Sequence, residues 1–561
     1  MKSIATLAAL LLIATPAAAQ DTTLYRGGTI ITMDGGTPHL VEAVVTKGDC
    51  IAFAGDVRAA RNAAGKDAAI RDLKGATMLP GFVDAHSHFA VAMQMADGLD
   101  LWDKTLPPVT DIASLQGVIR DYIARKAIPK GGWVIVWQYD NESLAEKRHI
   151  TRAELDAVAA DRKIVVLHQS LHALVANSAA LAAAKLTDAS QPPPGGMMLR
   201  DSDGHLNGAL LEKSTFLMLA AMPQLTPEQK LARLEAAQQR YFAEGYTHAQ
   251  DGATMPADLA FFTSSAAREH LKIDLALLPL YTGLDALLAR PDIRFGEYDG
   301  HVKLQGIKVI LDGSVQARTG YFTRDYARGA PDGSHPWHGA PAMDQDAFNQ
   351  LAKKVTGRGW QIFVHANGDA AIDMAIRGFD AAGIKAADDR RPIVIHSQFQ
   401  RRDQLADYKR IGVGPSYFSN HAWYWADVHR TNFPKEVVDF ISPLKSARAA
   451  GLTPSNHSDY SVTPLDTRFM LWTSMARVSP TGVVSGPDER LGAYEALEAL
   501  TTGPAWQAFE ENRKGRIKPG LLADFVILDK NPLKTPVDGI RDIRVLETIK
   551  EGKTVWQAPR R

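Results

Sequence analysis

The 561-residue chain has little cysteine, no net charge and few long apolar runs, and each shortage excludes something. Its one cysteine, Cys50, excludes an intramolecular disulfide, a Cys-rich zinc site and an iron–sulfur cluster. The 63 Lys and Arg balance the 63 Asp and Glu, with no long block of either sign. Neither nucleic acid nor an anionic membrane surface is therefore favoured as a partner. Beyond the first twenty residues no stretch reads as a bilayer-spanning helix. There is no convincing Walker-type or G-x-G-x-x-G loop, no G-x-S-x-G nucleophile elbow, no repeat of about 20–50 residues and no low-complexity tract. What is present is ordinary: 45% hydrophobic and 8% aromatic residues, enough for a large buried core.

Residues 1–20 read as a secretory signal peptide. Met1-Lys2-Ser3 gives a positive start, an apolar run follows from Ile4 to Ala14, and Thr15-Pro16 leads into the small residues Ala17 to Ala19, so cleavage is expected near Ala19 or Gln20. The apolar run is short for a membrane anchor, and no cysteine near the cleavage point offers a lipid attachment. The expected destination is the periplasm or exterior of a bacterium, with no membrane attachment after cleavage.

Residues 21–76 and 511–561 read as short strands broken by glycine turns, which suggests one small β domain closed by both termini. Between them, residues 77–510 alternate apolar runs with helical stretches. Candidate strands are Trp133 to Trp137, Lys163 to Leu167, Ile273 to Leu280, Gly306 to Leu311, Gln361 to Val364, Pro392 to Ile395 and Ile411 to Val413. Candidate helices include Pro227 to Ala243, Asp344 to Gly357 and Ala370 to Ala381. Alternation of this kind implies a parallel sheet, and at this length a (β/α)8 barrel leads. A segment of about 140–225, punctuated by Gln191-Pro192-Pro193-Pro194-Gly195-Gly196, reads as an insertion off the barrel and a candidate lid.

The informative polar residues fall at strand ends. Gly81-Phe82-Val83-Asp84-Ala85-His86-Ser87-His88 is an apolar strand running into H-x-H, and residues two apart in a strand share a face, so both imidazoles can reach one ion. Alone this is weak, since about half an H-x-H is expected by chance at this histidine content. Phe363-Val364-His365 and Val394-Ile395-His396 repeat the pattern, and Pro454-Ser455-Asn456-His457-Ser458-Asp459 ends in a carboxylate. Lys308 lies within the apolar strand of Gly306 to Leu311, where an unpaired ammonium is costly. Barrel enzymes gather catalytic groups at the C-terminal ends of several strands, so this scatter would converge in space, and imidazole with carboxylate suits zinc or a similar divalent ion. Each residue also has a structural alternative: a hydrogen-bonded core histidine, a Lys308–Asp312 ion pair, or Asp459 as a helix cap. Five coincidences of this kind are harder to accept than one site.

These motifs resemble the amidohydrolase superfamily. The elements after H-x-H are similar to its amidohydrolase-3 branch, the YtcJ-like and N-substituted formamide deformylase-like proteins. They are Ile307-Lys308 with Asp312-Gly313-Ser314, then His365-Ala366-Asn367-Gly368-Asp369, His396 and Ser458-Asp459, with a closing segment Gly520 to Asp529. The resemblance implies an α/β fold, a distorted (β/α)8 TIM-like barrel with a small β-sandwich from both termini. It also implies a metal-dependent hydrolase in which His86, His88 and Asp459 hold one ion and His365 and His396 a second. Lys308, carboxylated on its amine, would bridge them, and Asp459 would be the general base. Two departures stand out: His457 replaces a small residue usual before Ser-Asp, and Asn367 a more apolar one.

The expected cofactor is accordingly one or two divalent ions, zinc first, activating water against the carbonyl of a small-molecule substrate. His172, in a segment similar to one that lends the family's pocket a histidine, is a candidate substrate contact. So are Arg318, for a carboxylate, and Trp423, in the aromatic run His421 to Trp425. Amide, N-acyl or N-formyl cleavage leads, ester or lactone hydrolysis and a non-catalytic binding or regulatory role stay open, and so does homo-oligomer formation.

Overall fold

A computed structural model of the protein describes residues 21–95, 98–102 and 106–559; the expected signal peptide lies outside the described residues. Among these, no helix is long and apolar enough to cross a membrane. The described residues form a mixed α/β fold with four sheets.

Strands from both ends of the described residues meet in the first sheet. Its order is Lys553–Gln557, Val545–Lys550, Phe525–Leu528, Thr77–Pro80, Thr22–Ile31, Leu40–Lys47 and Cys50–Gly55, with Ala69–Asp72 also beside Thr22–Ile31. Period-two alternation gives this sheet two apolar faces. Tyr25, Ile30, Val44, Met78, Phe525 and Ile549 pack on one side. Leu24, Ala43 and Val45 pack on the other, against Ala60 of the helix Val57–Ala64, which Asp56 caps through the N–H groups of Arg58 and Ala59.

Two sheets of mainly parallel strands follow in the middle. One runs Phe82–Val83, Tyr246–Thr254, Asp274–Pro279, then Val302–Leu304 and the short antiparallel Tyr298–Asp299; the other runs Gly306–Ile310, Gln361–Ala366, Ile393–His396, Gly414–Tyr417 and Ser455–Asn456. They touch at both margins: Leu280 bridges to Lys308 in parallel register, and Asp459 N–H donates to His86 O at 3.0 Å. Strands covered on both faces are apolar throughout rather than alternating, as in Ile393-Val394-Ile395. Outside them lie helices such as Pro227–Ala243, opened by a Thr226–Gln229 capping box, Gln345–Thr356 and Asp369–Ala381, the last two packed through Phe348 and Phe379.

Two expectations are corrected here. Trp133 to Trp137, read from the sequence with the other middle strands, lies in a separate six-stranded sheet together with Lys163 to Leu167, which falls within the segment read as an insertion. There Trp133–Tyr139 and Lys163–His168 join Leu99–Asp100, Ala173–Ala176, Leu206–Glu212 and Gly196–Arg200. Apolar periodicity marks a strand but not the sheet that receives it. Ile411 to Val413 is not a strand: the helix Gln404–Ile411 ends at Gly412, whose φ of 83° closes it, and the strand begins at Gly414.

Candidate metal centre

The strand Phe82–Val83 delivers His86 and His88 to one end of the parallel sheets. His86 is fully buried, and its Nδ1 meets Gln250 Oε1 at 2.8 Å, which assigns Nδ1 as the protonated nitrogen and leaves Nε2 for the site. The next strand passes so close that a Cβ at Gly252 would lie 2.0 Å from His86 Cε1, so only glycine fits there. After the last strand, Ser455–Asn456, the chain turns sharply: Asp459 has φ 48°, a left-handed conformation rare for a residue with a side chain. The turn is held by Asp84, which accepts from Ser458 N–H at 3.1 Å and from Ser458 Oγ at 2.5 Å. His396, ending its own strand, also has positive φ, 69°.

Asp459 is the centre. Its Oδ1 lies 3.7 Å from His86 Nε2 and 3.4 Å from His88 Nε2, and its Oδ2 lies 3.8 Å from His396 Nδ1. Donor atoms of His86, His88 and Asp459 all fall within 4.8 Å of one another, as do those of His396, His457 and Asp459. Asp459 Oδ1 is buried with no hydrogen-bond partner, an arrangement that costs free energy unless something positive completes it. Two imidazoles and a carboxylate oxygen are a donor set suited to zinc-like ions, so the residues fit a divalent cation.

The electrostatics agree. Burial pushes the pKa values of His86, His365 and His396 well down, keeping the imidazoles neutral and able to donate lone pairs. Burial alone would raise the Asp459 carboxyl, but the closeness of His88, with the charges of His457 and Lys308, holds it below the usual carboxylate range. Lys308 Nζ lies 3.1 Å from His86 Nε2, and burial brings its amine down to about 7. Asp312 is not its partner: that carboxylate accepts backbone N–H groups from Tyr321, Asn367 and Gly368 at 2.8–2.9 Å.

The structure thus brings together His86, His88, Lys308, His396 and Asp459. His365 stands beside them, its ring centroid 4.7 Å from that of His396, with Nε2 turned towards Gly313 O at 3.4 Å and Asn367 Nδ2 at 3.1 Å. His172 joins from the six-stranded sheet, 5.1 Å from the His365 ring. Arg318 donates to Ala330 O at 3.2 Å, and Trp423 packs its ring against Phe469 and Trp472 rather than against the histidines. Sequence reasoning missed His457 as a site group. Its Nε2 lies 3.2 Å from His396 Nδ1 and its Nδ1 2.9 Å from Ser416 Oγ. The signal was there, since His457 stands two residues before Asp459. Gln250 gave no such signal, because it acts only through a histidine far away in sequence.

A model of the amidohydrolase family matches residues 69–556. The chain is 27% identical over 521 residues to an N-substituted formamide deformylase of Arthrobacter pascens, covering 91% of this chain and 94% of that protein. It is 24% identical over 503 residues to the putative amidohydrolase YtcJ of Bacillus subtilis (strain 168), covering 86% and 90%. Among solved structures, an uncharacterized metal-dependent hydrolase from Pyrococcus horikoshii OT3 superposes with a TM-score of 0.72 at 22% identity, over 92% of this chain and 99% of that one, a likeness of fold.

Proposed function

The chain belongs to the amidohydrolase family, and from that premise we propose an exported, metal-dependent hydrolase that cleaves a C–N bond in a small molecule, an N-substituted formamide or related amide. The observation that carries the reading is the partnerless Asp459 Oδ1 set between the Nε2 atoms of His86 and His88. The formamide preference draws on the relative from Arthrobacter pascens, and export on the composition of residues 1–20.

We read the parallel strands as a distorted (β/α)8 barrel and the terminal sheet as its small β-sandwich partner. Supporting the barrel, Phe82–Val83, Tyr246–Thr254, Asp274–Pro279, Gly306–Ile310, Gln361–Ala366, Ile393–His396, Gly414–Tyr417 and Ser455–Asn456 follow one another in parallel, with links at both margins. In that reading the ligands close their strands, as catalytic groups in barrels do.

His86, His88, His365, His396 and Asp459 would hold one or two divalent ions, zinc first, with Lys308 carboxylated on Nζ as the bridge. Carboxylation needs a neutral amine, which burial of Lys308 favours, and it turns a repelling cation into an anionic ligand. A bound ion would supply Lewis acidity to water and to the scissile carbonyl. Asp459 would accept the attacking water's proton and return it to the leaving nitrogen, a poor leaving group until protonated. Of the gathered histidines, His86, His365, His396 and His457 are deeply buried, while His88 and His172 are partly exposed and open the site to a substrate.

Elemental analysis of the mature protein, purified without added metal and beside Lys308→Ala, tests this. About two divalent ions per chain, falling to about one or fewer in the variant, are expected. No metal in either protein, even after reconstitution, would overturn the hydrolase. Amine release from N-substituted formamides, compared with hydrolysis of matched esters, then tests the bond.

A further inference from the structure

At the edge of the six-stranded sheet, beside His365 of the candidate metal-ligand cluster, His172 forms a side-chain pair with Glu212. Strands Ala173–Ala176 and Leu206–Glu212 run antiparallel with Ala173 opposite Leu211, so His172 and Glu212 are the next pair along. Glu212 N–H donates to His172 O at 2.7 Å, and across the same corner His172 Nδ1 lies 2.8 Å from Glu212 Oε2. Leu171 and Glu212 both hold left-handed backbone, φ 60° and 54°, so the corner is kept at a conformational cost.

The pair is braced from two further sides. His172 N–H donates to Ser170 Oγ at 3.2 Å, Ser170 Oγ lies 2.8 Å from His168 Nδ1, and His168 Nε2 stands 3.4 Å from Asp140 Oδ1. On the other side Glu212 Oε1 is buried without a partner, and a Cβ at Gly313 would come within 2.3 Å of it. Gly313 O in turn accepts from Asn367 Nδ2, beside His365. Both side chains of the pair are only 17% exposed, so this is no solvated surface ion pair.

We infer that Glu212 is a positioning residue: its carboxylate accepts from His172 Nδ1–H and so fixes the imidazole, leaving Nε2 as the nitrogen offered to the substrate. The inference rests on the hydrolase reading for the substrate, but not for the geometry. Without the carboxylate, the ring is free to rotate and to carry its proton on either nitrogen, and the substrate contact loses its direction.

The test uses the full mature holoenzyme as Glu212→Ala, Glu212→Gln, His172→Ala and the Glu212→Ala/His172→Ala double variant. In 15N-histidine NMR, the His172 resonances are those lost in His172→Ala. They are expected to report a protonated Nδ1 in the wild type and in Glu212→Gln, whose amide oxygen still accepts, and a shifted tautomer in Glu212→Ala. On an N-substituted formamide, kcat/KM is expected to fall about ten- to a hundredfold in Glu212→Ala, to recover largely in Glu212→Gln, and to fall no further when Glu212→Ala is added to His172→Ala. An equal fall in the His172→Ala background, or an unchanged tautomer in Glu212→Ala, overturns the inference. If the wild type turns over no formamide, a tautomer shift still upholds the positioning while the substrate reading falls.

Discussion

Asp459 is the single side chain on which the site converges. Asp459→Asn keeps its shape but removes the negative charge and the proton acceptor. Turnover is expected to fall by about a thousandfold or more, in the range general bases command, while far-ultraviolet circular dichroism stays as in the wild type. Activity within tenfold of wild type would assign the proton transfer elsewhere. A second residue-scale expectation concerns acid stability. His429 is fully buried, accepts from Gln398 Nε2 at 2.7 Å, and is brought down to about 3 by burial, with Arg430 adding repulsion. Below about 6.5 the unfolded chain takes up a proton that the folded chain refuses until about 3. The stabilisation present above 6.5 is therefore lost as pH falls through this window, about 2 kcal/mol of it by pH 5. Urea unfolding at pH 7 and pH 5 should show that loss in the wild type and a drop smaller by that amount in His429→Asn. Equal drops would mean that folded and unfolded His429 titrate alike.

At the scale of elements, the join between the strand Gln361–Ala366 and the helix Asp369–Ala381 fixes one wall of the site. Gly368 N–H donates to Asp312 Oδ2 at 2.8 Å, and a Cβ on Gly368 would sit 1.9 Å from Tyr321 O, a backbone atom that cannot step aside. Gly368→Ala is expected to cost about 1–3 kcal/mol in urea unfolding, as overpacking does, and a change under about 0.5 kcal/mol would show that the loop gives way. Elements also show how far local sequence reaches. The helix Pro227–Ala243 was legible to its ends because Thr226, Pro227 and Gln229 are start signals that act within one turn. Ile411 to Val413 misled because three apolar residues around a glycine suit a strand as well as a capped helix end. The strand Tyr246–Thr254 was not foreseen: Thr247, His248, Gln250 and Asp251 are buried there by partners distant in sequence.

For the molecule as a whole, the terminal sheet is tied to the parallel strands by buried charge. Asp274, fully buried at the start of its strand, meets His301 Nδ1 at 2.8 Å, Lys550 Nζ at 3.2 Å and Lys514 Nζ. Lys550 also reaches Asp524 at 3.2 Å, so one network joins both chain regions. Asp274→Ala leaves two ammonium groups short of a shared counter-charge, and a loss of about 3–5 kcal/mol is expected in chemical denaturation. Metal per folded chain should be unchanged, because Asp274 opens its strand whereas the proposed ligands lie at the other ends of theirs. A concurrent loss of metal would show that the network supports the site directly.

The sequence by itself determined the kinds of chemistry available. An apolar strand running into His86 and His88, and others ending at His365, His396 and Asp459, mark candidate ligands because strand periodicity and donor type are local properties. Family membership was likewise written in the order of those motifs. Tertiary structure decided everything that depends on distance across the fold. It set Gln250 behind His86, gave Lys308 to His86 rather than to Asp312, drew His457 into the cluster, and brought Glu212 to His172 from a separate sheet. None of these pairings follows from spacing along the chain, because each is made by burial, which brings together groups the sequence keeps apart and obliges them to satisfy one another.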